Sequence, residues 1–166
     1  MDLSLEGKRV LVTGAGRGIG RSVSICLARE GTRVAIVART PSDIDNLVDQ
    51  MGGLKKGHCG VPLDLMSDGA PRKLMGFLER ASFGPIDIVV HNLGGTLDIL
   101  DPFCSLDDWR RVWRFNLEIA IELNNLIIPA KRQKRRGRIV HISSISDMEN
   151  HGPVPYSAIK AALTAY

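Results

Sequence analysis

The stretch Val10-Leu11-Val12-Thr13-Gly14-Ala15-Gly16-Arg17-Gly18-Ile19-Gly20 decides how the rest of the chain is read. Val10, Leu11 and Val12 make an apolar run short enough for a strand buried on both faces of a parallel sheet. Gly14, Gly16, Gly18 and Gly20 follow. Beyond the turn, Ile19, Val23, Cys26 and Leu27 fall at helical spacing. The pattern predicts a strand, a tight glycine turn and a helix N-terminus. Glycines at such a turn let backbone come close to a phosphate, and the free N–H groups of the helix start bind the anion.

The chain has 166 residues, enough for a single domain over 1–166 with its own core. Its 44% hydrophobic and 24% charged residues are ordinary for a globular protein. No run reaches transmembrane length and residues 1–6 carry no basic-then-apolar signal, so a cytoplasmic protein with no membrane partner is expected. Cys26, Cys59 and Cys104 have neither metal nor redox spacing. They read as reduced thiols, two of them in the core, and no metal site is expected. Most of the net charge of +4 comes from the run 131–138, Lys-Arg-Gln-Lys-Arg-Arg-Gly-Arg. A nucleic-acid patch is one reading. The favoured one is a long helix closed by cations that suit its dipole, just before the stop at Gly137. No nucleic-acid partner is expected.

Taken in order, the first strand runs from Lys8 to Thr13 and the first helix from Gly18 to Glu30. A second strand spans Thr32 to Ala38. Pro41 to about Met51 is a helix with Ile44, Leu47, Val48 and Met51 on one face. Cys59 to Leu63 is a weaker strand, with Pro62 suited to its end. Asp68 to Phe83 is a helix with Leu74, Phe77, Leu78 and Ala81 inward, and Ile86 to Val90 a fourth strand. After a loop, Ser105 caps a long helix with Asp108 in the capping-box position. Pro129 is expected to kink that helix or end its first part. Arg138 to Ile142 is the fifth strand, and a last helix starts near Tyr156. Strands alternate with helices throughout. The fold class is therefore α/β, a doubly wound parallel sheet of Rossmann type, with a ligand at the carboxyl ends of the strands.

Those ends carry candidate chemistry. After the second strand, no carboxylate stands at Ala38 or Arg39 to accept from an adenosine ribose. Arg39 instead offers a charged fork suited to a phosphate, and Arg17 a second cation. NADP(H) is preferred on that ground, with NAD(H) possible. Near the C-terminus, Tyr156-x-x-x-Lys160 puts a phenol and an ammonium one helical turn apart on one face. A phenol titrates near ~10 in water, so proton exchange near neutral pH needs a cation close by. A serine hydroxyl can hold a substrate oxygen.

Thr13-to-Gly20 in the spacing T-G-x-x-x-G-x-G, Asp64, Asn92-x-Gly94, Asn116, Gly137-Arg-Ile-Val-x-Ile-Ser-Ser144 and Tyr156-x-x-x-Lys160 occur in one order. In that order they resemble the classical short-chain dehydrogenases, 3-oxoacyl carrier-protein reductases included. The resemblance implies a catalytic set of Asn116, Ser144, Tyr156 and Lys160, with Ser143 the runner-up for Ser144. Asn116 would hold a water that links to Lys160. Thr13, Gly14, Gly16, Arg17, Gly18, Ile19, Gly20, Arg39, Asp64, Leu65, Asn92, Gly94, Tyr156 and Lys160 would bind the cofactor. Asp64 would hold the adenine amino group; a plain turn aspartate is an equal reading. His91-Asn92-Leu93-Gly94 departs from the family's N-N-A-G at His91 and Leu93. The gap of twelve from Ser144 to Tyr156 is one short of the commonest family gap, which implies a displaced loop.

The resemblance implies a carbonyl reductase or the reverse alcohol dehydrogenase, acting on a small carbonyl or alcohol and forming a homodimer or homotetramer at full length. A non-catalytic dinucleotide-binding regulatory or scaffold module is the alternative. Family members continue past the last helix with two more strands. The expectation is therefore that the sequence is a piece of a longer protein, and that alone it would not make a stable, active monomer.

Overall fold

The computed structural model describes residues 3–149 and 152–166. Five strands form one sheet: β1 (Arg9–Thr13), β2 (Arg33–Ala38), β3 (Cys59–Pro62), β4 (Ile88–His91) and β5 (Arg138–His141). Their order is β3-β2-β1-β4-β5 and every neighbouring pair is parallel. The chain winds outward from β1 to β3, then returns to the other side of β1 for β4 and β5. That reversal leaves a crevice between the carboxyl ends of β1 and β4, as doubly wound sheets require.

Helices cover both faces: α1 (Gly18–Arg29), α2 (Pro41–Gln50), α3 (Ala70–Arg80), α4 (Leu106–Trp113), α5 (Ile119–Gln133) and α6 (Val154–Ala165). The period-2 alternation of strand side chains decides which helix meets which residue. Leu11, Val37 and Val89 point to one face, against Leu74 and Leu78 of α3 and Leu123 and Ile127 of α5. Val10, Val12, Val34, Ile36 and Val90 point to the other, against Ile44, Leu47 and Val48 of α2 and half-buried Val23 and Leu27 of α1. A third cluster packs Val112 and Leu117 against Ile159 and Leu163 of α6, which fixes the helix carrying Tyr156.

Several expectations are corrected. The α1 face against the sheet is centred on Gly20 and Ser24, both buried, rather than on Ile19 and Cys26, both exposed. Small residues win that face because they let the helix approach the sheet closely, and Ser24 Oγ folds back onto Gly20 O at 2.8 Å. None of the three cysteines is fully buried: Cys26 is exposed, and Cys59 and Cys104 are half-buried. The third helix starts at Ala70, because Gly69 takes φ +68° and ends the preceding turn. It stops at Arg80, which leaves Ala81 exposed. The last helix starts at Val154, with Pro155 in its first turn, where a missing N–H costs nothing.

Pro129 neither ends nor divides α5. Its missing N–H frees the carbonyl of Asn125, and both residues lie on the exposed side, where water satisfies it. Ser105 caps α4 as expected, its Oγ accepting from Asp108 N at 3.1 Å. Between α4 and α5 the backbone widens into a π turn over Arg114–Glu118, which the sequence does not announce.

Lys131 departs furthest from its reading as one of the cations that close the helix. It is only 8% exposed, and its Nζ donates to Ile86 O at 3.1 Å and Asp87 O at 2.5 Å, capping the carbonyls that lead into β4. Lys131→Met keeps the stem but strands two carbonyls. The expected loss is about 1–3 kcal/mol of stability, read as a lower urea midpoint at unchanged m-value.

Candidate functional site

A cleft of about 500 Å³ lies over the carboxyl ends of the strands. Its walls include Gly14, Gly16, Arg17, Gly18 and Ile19 of the glycine turn, Arg39 after β2, and Asp64 and Leu65 after β3. Asn92 and Gly94 follow β4, Ile142 and Ser143 follow β5, and Tyr156 and Lys160 come from α6. Thr13, Gly20, Asn116 and Ser144 are outside the lining. The first three are buried, and Ser144, half-buried, follows the lining residue Ser143 in the chain.

The glycine turn is held against the exit of β4. Thr13 Oγ1 accepts from the backbone N–H groups of Asn92 and Leu93 at 3.1 and 3.2 Å. Asn92 Nδ2 donates to Gly14 O at 3.0 Å. A Cβ at position 20 would stand 2.5 Å from Asn92 Nδ2 and 2.6 Å from Gly14 O, so only glycine fits. Gly14 takes φ +63°, and a Cβ there would press on Leu93 Cα at 3.1 Å.

This close packing leaves the start of α1 open to the cleft. The helix has no side-chain cap and no acidic residue in its first turn. Its first N–H groups therefore suit an anion. Arg17 and Arg39 are exposed at this end and form no ion pair among the described residues. Asp43, on the first turn of α2, also lines it. Asp43 was missed because a carboxylate near a helix start reads as a dipole partner. Asp64 Oδ1 accepts from Met66 N at 3.0 Å, an Asx turn, while the residue stays exposed in the wall; the turn and ligand readings therefore coexist.

At the other end, Lys160 is 3% exposed, and its Nζ donates to Ile142 O at 2.8 Å. Burial lowers its pKa, and the Asp147 carboxylate opposes that shift. The ammonium lies 5.7 Å from the centroid of the Tyr156 ring. Asn116 sits in the π turn, fully bonded: Oδ1 accepts from Gly95 N at 2.9 Å, and Nδ2 donates to Gly95 O at 2.9 Å and Val112 O at 3.0 Å. The widened turn lets this poor helix former bridge to the β4 loop. A Cβ at Gly94 would fall 2.7 Å from Asn116 Oδ1 and 3.0 Å from Lys160 Nζ. Gly94, Asn116 and Lys160 thus meet at one point.

Behind this point lies a network that the sequence reading missed. The rings of His91 and His141 stack at 4.7 Å. His91 Nε2 bonds Asn124 Oδ1 at 2.9 Å, and Asn124 Nδ2 donates to the Tyr166 hydroxyl at 3.2 Å. The β4–β5 register pairs His91 with His141, while Asn124 comes from α5 and Tyr166 from the end of α6.

Comparison with known proteins agrees with the geometry. The sequence model of the short chain dehydrogenase family matches residues 8–166. The chain belongs to that family. It is 35% identical over 167 aligned residues to the 3-oxoacyl-(acyl-carrier-protein) reductase of Salmonella typhimurium, covering 99% of this chain and 66% of the relative. The Escherichia coli K12 reductase of the same name is 34% identical, with the same coverage. Among solved structures, L-sorbose reductase from Gluconobacter frateurii, complexed with NADPH and L-sorbose, superposes with a TM-score of 0.89 at 26% identity, over 99% of this chain and 63% of that one. A 7α-hydroxysteroid dehydrogenase complexed with NADH and 7-oxo glycochenodeoxycholic acid gives 0.86 at 26% identity, over 97% and 63%. The chain thus spans just under two thirds of the length of these relatives.

Burial pushes the His91 imidazole down to about 4, against the bond from Asn124, so the fold accommodates its neutral form. Below pH ~6.5 the unfolded chain takes the proton first, so stability declines as pH falls toward ~4 and is level above ~6.5. His91 contributes at most about 3 kcal/mol to that decline. His91→Asn should make it shallower, checked by urea unfolding at pH 7 and pH 4.5, with His58 and His141, also lowered by burial, keeping part of it.

Proposed function

We propose that the whole protein is an oxidoreductase that interconverts a carbonyl compound and a secondary alcohol using NADP(H). The observation that carries this reading is the buried Lys160 ammonium beside the Tyr156 ring, at the end of a cleft that begins on an uncapped helix start. The residues fit a dinucleotide. Gly14 and Gly20 leave no room for a Cβ, the open N–H groups of α1 suit a pyrophosphate, and Arg17 and Arg39 suit a 2′-phosphate. Two arginines, with the Asp43 carboxylate beside them and Asp64 further along the wall, favour NADP(H), with NAD(H) the weaker ligand. Bound there, a nicotinamide dinucleotide supplies the two-electron donor or acceptor.

The protein's own part is proton transfer and orientation. The Tyr156 hydroxyl gives its proton to the substrate oxygen in reduction and takes one in oxidation. Lys160 favours the phenolate by its charge and keeps its place through Ile142 O. Ser144 donates to the substrate oxygen. Ser143 is less suited, because its hydroxyl is engaged by Asp147 and Thr164. Asn116 holds the β4 loop to the π turn and so fixes Gly94 beside Lys160. The names of the curated relatives favour a 3-oxoacyl thioester or a similar small carbonyl as substrate. A soluble cytoplasmic homodimer or homotetramer, without nucleic acid or membrane, completes the reading. No helix among the described residues is long and apolar enough to cross a membrane.

Arg39→Ala should weaken NADPH binding by about 1–3 kcal/mol and leave NADH binding nearly unchanged, read by calorimetric titration of both. Tyr156→Phe should abolish turnover at unchanged NADPH affinity, since the ring still packs but no proton can be exchanged. Turnover close to wild type would remove Tyr156 from the mechanism.

A further inference from the structure

Ser143 and Ser144 leave β5 side by side, yet their hydroxyls have different company. Ser143 Oγ lies 2.9 Å from Asp147 Oδ2, 2.9 Å from Thr164 Oγ1 and 3.4 Å from Lys160 O. Thr164 Oγ1 donates to the same Asp147 oxygen. One carboxylate oxygen thus gathers two hydroxyls, one from its own turn and one from α6. Those bonds, Thr164's first and Ser143's second, hold the Asp147 carboxyl below the usual carboxylate range, and the Lys160 ammonium adds to the effect. Ser144 Oγ, by contrast, accepts from Ser146 N at 3.2 Å, and its own proton goes to no acceptor among the described residues.

The turn after β5 is therefore fastened to α6 at both of its ends. Lys160 Nζ grips its start at Ile142 O, and Thr164 grips its end at Asp147. Lys160 and Thr164 are four residues apart, on one face of α6. Between the two ties the chain makes a short 3₁₀ turn over Ile145–Asp147, opened by Ser144 as its cap. Ser144 is the residue left free inside a turn closed at both ends.

Charge follows the same arrangement. Lys160 is buried, and its ammonium has one carbonyl partner. The groups facing it are Asp147 from the turn, His141 from β5, Asn116 near Gly94 and the Tyr156 ring on its own helix. His141 is kept neutral by burial and by Lys160 itself. Asn116 and the Tyr156 ring bring no negative charge to the ammonium at neutral pH. Among these groups Asp147 is the carboxylate, and its charge opposes part of the effect of burial on the ammonium.

We propose that Asp147 is a positioning residue for the reaction: with Ser143 and Thr164 it clasps the turn that carries Ser144 onto the helix that carries Tyr156 and Lys160, and it keeps a negative charge near the Lys160 ammonium. The clasp assigns the paired serines different tasks, Ser143 to structure and Ser144 to substrate. The inference rests on the oxidoreductase reading for its rate readout and on the clasp geometry for its titration readout.

The test uses the full-length protein with NADPH and ethyl acetoacetate as a small 3-oxoacyl probe. Its variants are Asp147→Asn, Thr164→Val and Thr164→Ser, with Tyr156→Phe as the control for the functional reading. Asp147→Asn keeps an acceptor for Thr164 and removes the charge. The Lys160 side chain, followed by NMR with labelled lysine, should then titrate at lower pH than in wild type. The alkaline limb of kcat should move with it, and kcat should fall by about 10- to 100-fold with little change in KM. Thr164→Val should lower kcat without moving the Lys160 titration, and Thr164→Ser should restore it. An unmoved Lys160 titration in Asp147→Asn overturns the proposal whatever the rate. Wild-type kcat in both Asp147→Asn and Thr164→Val overturns it as well. If wild type and Tyr156→Phe are equally inert, the functional reading fails, and the Lys160 titration still decides the clasp. If Asp147→Asn does not fold, a wild-type rate in Thr164→Val overturns the proposal, and a loss that Thr164→Ser rescues supports it.

Discussion

Asn92 Nδ2 reaching Gly14 O across the gap between β1 and β4 is the contact on which the site depends. It spans the point where the winding of the sheet reverses, and Thr13 reinforces it by accepting from the backbone N–H groups of Asn92 and Leu93. The contact is possible because Gly20 has no side chain. Any larger residue there would push α1 away from the sheet and break the join. With the join made, the first turn of α1 faces the cleft with its N–H groups uncapped. One local constraint thus creates both the packing of α1 and its capacity to bind an anion.

The other end of the site depends on burial. Lys160 is an ammonium under the surface, held by a carbonyl from the β5 exit and opposed in charge by Asp147. Gly94 passes so close to Lys160 and Asn116 that the β4 loop, the π turn and α6 form one unit. The π turn has a physical purpose here: it turns an asparagine that weakens a helix into a bridge that carries three hydrogen bonds. Gly94, Asn116 and Lys160, candidates for the site, are therefore held by elements that pack against one another.

The strands, their parallel order and most helices were legible in the sequence, because buried parallel strands read as short apolar runs and helices as 3.6-residue periods. The glycine turn was legible as well, since spacing reports backbone geometry directly. What escaped were features set by tertiary contact. Lys131 reads as surface charge until two carbonyls near β4 are found beneath it. Of the apolar residues at helical spacing in α1, Val23 and Leu27 do meet the core, but Ile19 and Cys26 are exposed, and Gly20 and Ser24 make the closest approach to the sheet. The His91–His141–Asn124–Tyr166 network joins two strands through their register and two helices through their packing. The Ser143–Asp147–Thr164 clasp escaped for the same reason, since hydroxyls and a carboxylate far apart in sequence look like ordinary turn and surface residues.

The central claim is that the cleft over β1 and β4 receives a dinucleotide, with its phosphates on the start of α1 and its reactive end toward Lys160. The most direct measurement is chemical-shift mapping of the isotope-labelled full-length protein titrated with NADPH. The account predicts saturable shifts of the backbone amides of Gly16, Gly18, Ile19 and Asn92, together with the Lys160 side chain. Saturable binding that leaves these groups unmoved, or no binding of either NADPH or NADH, would contradict it.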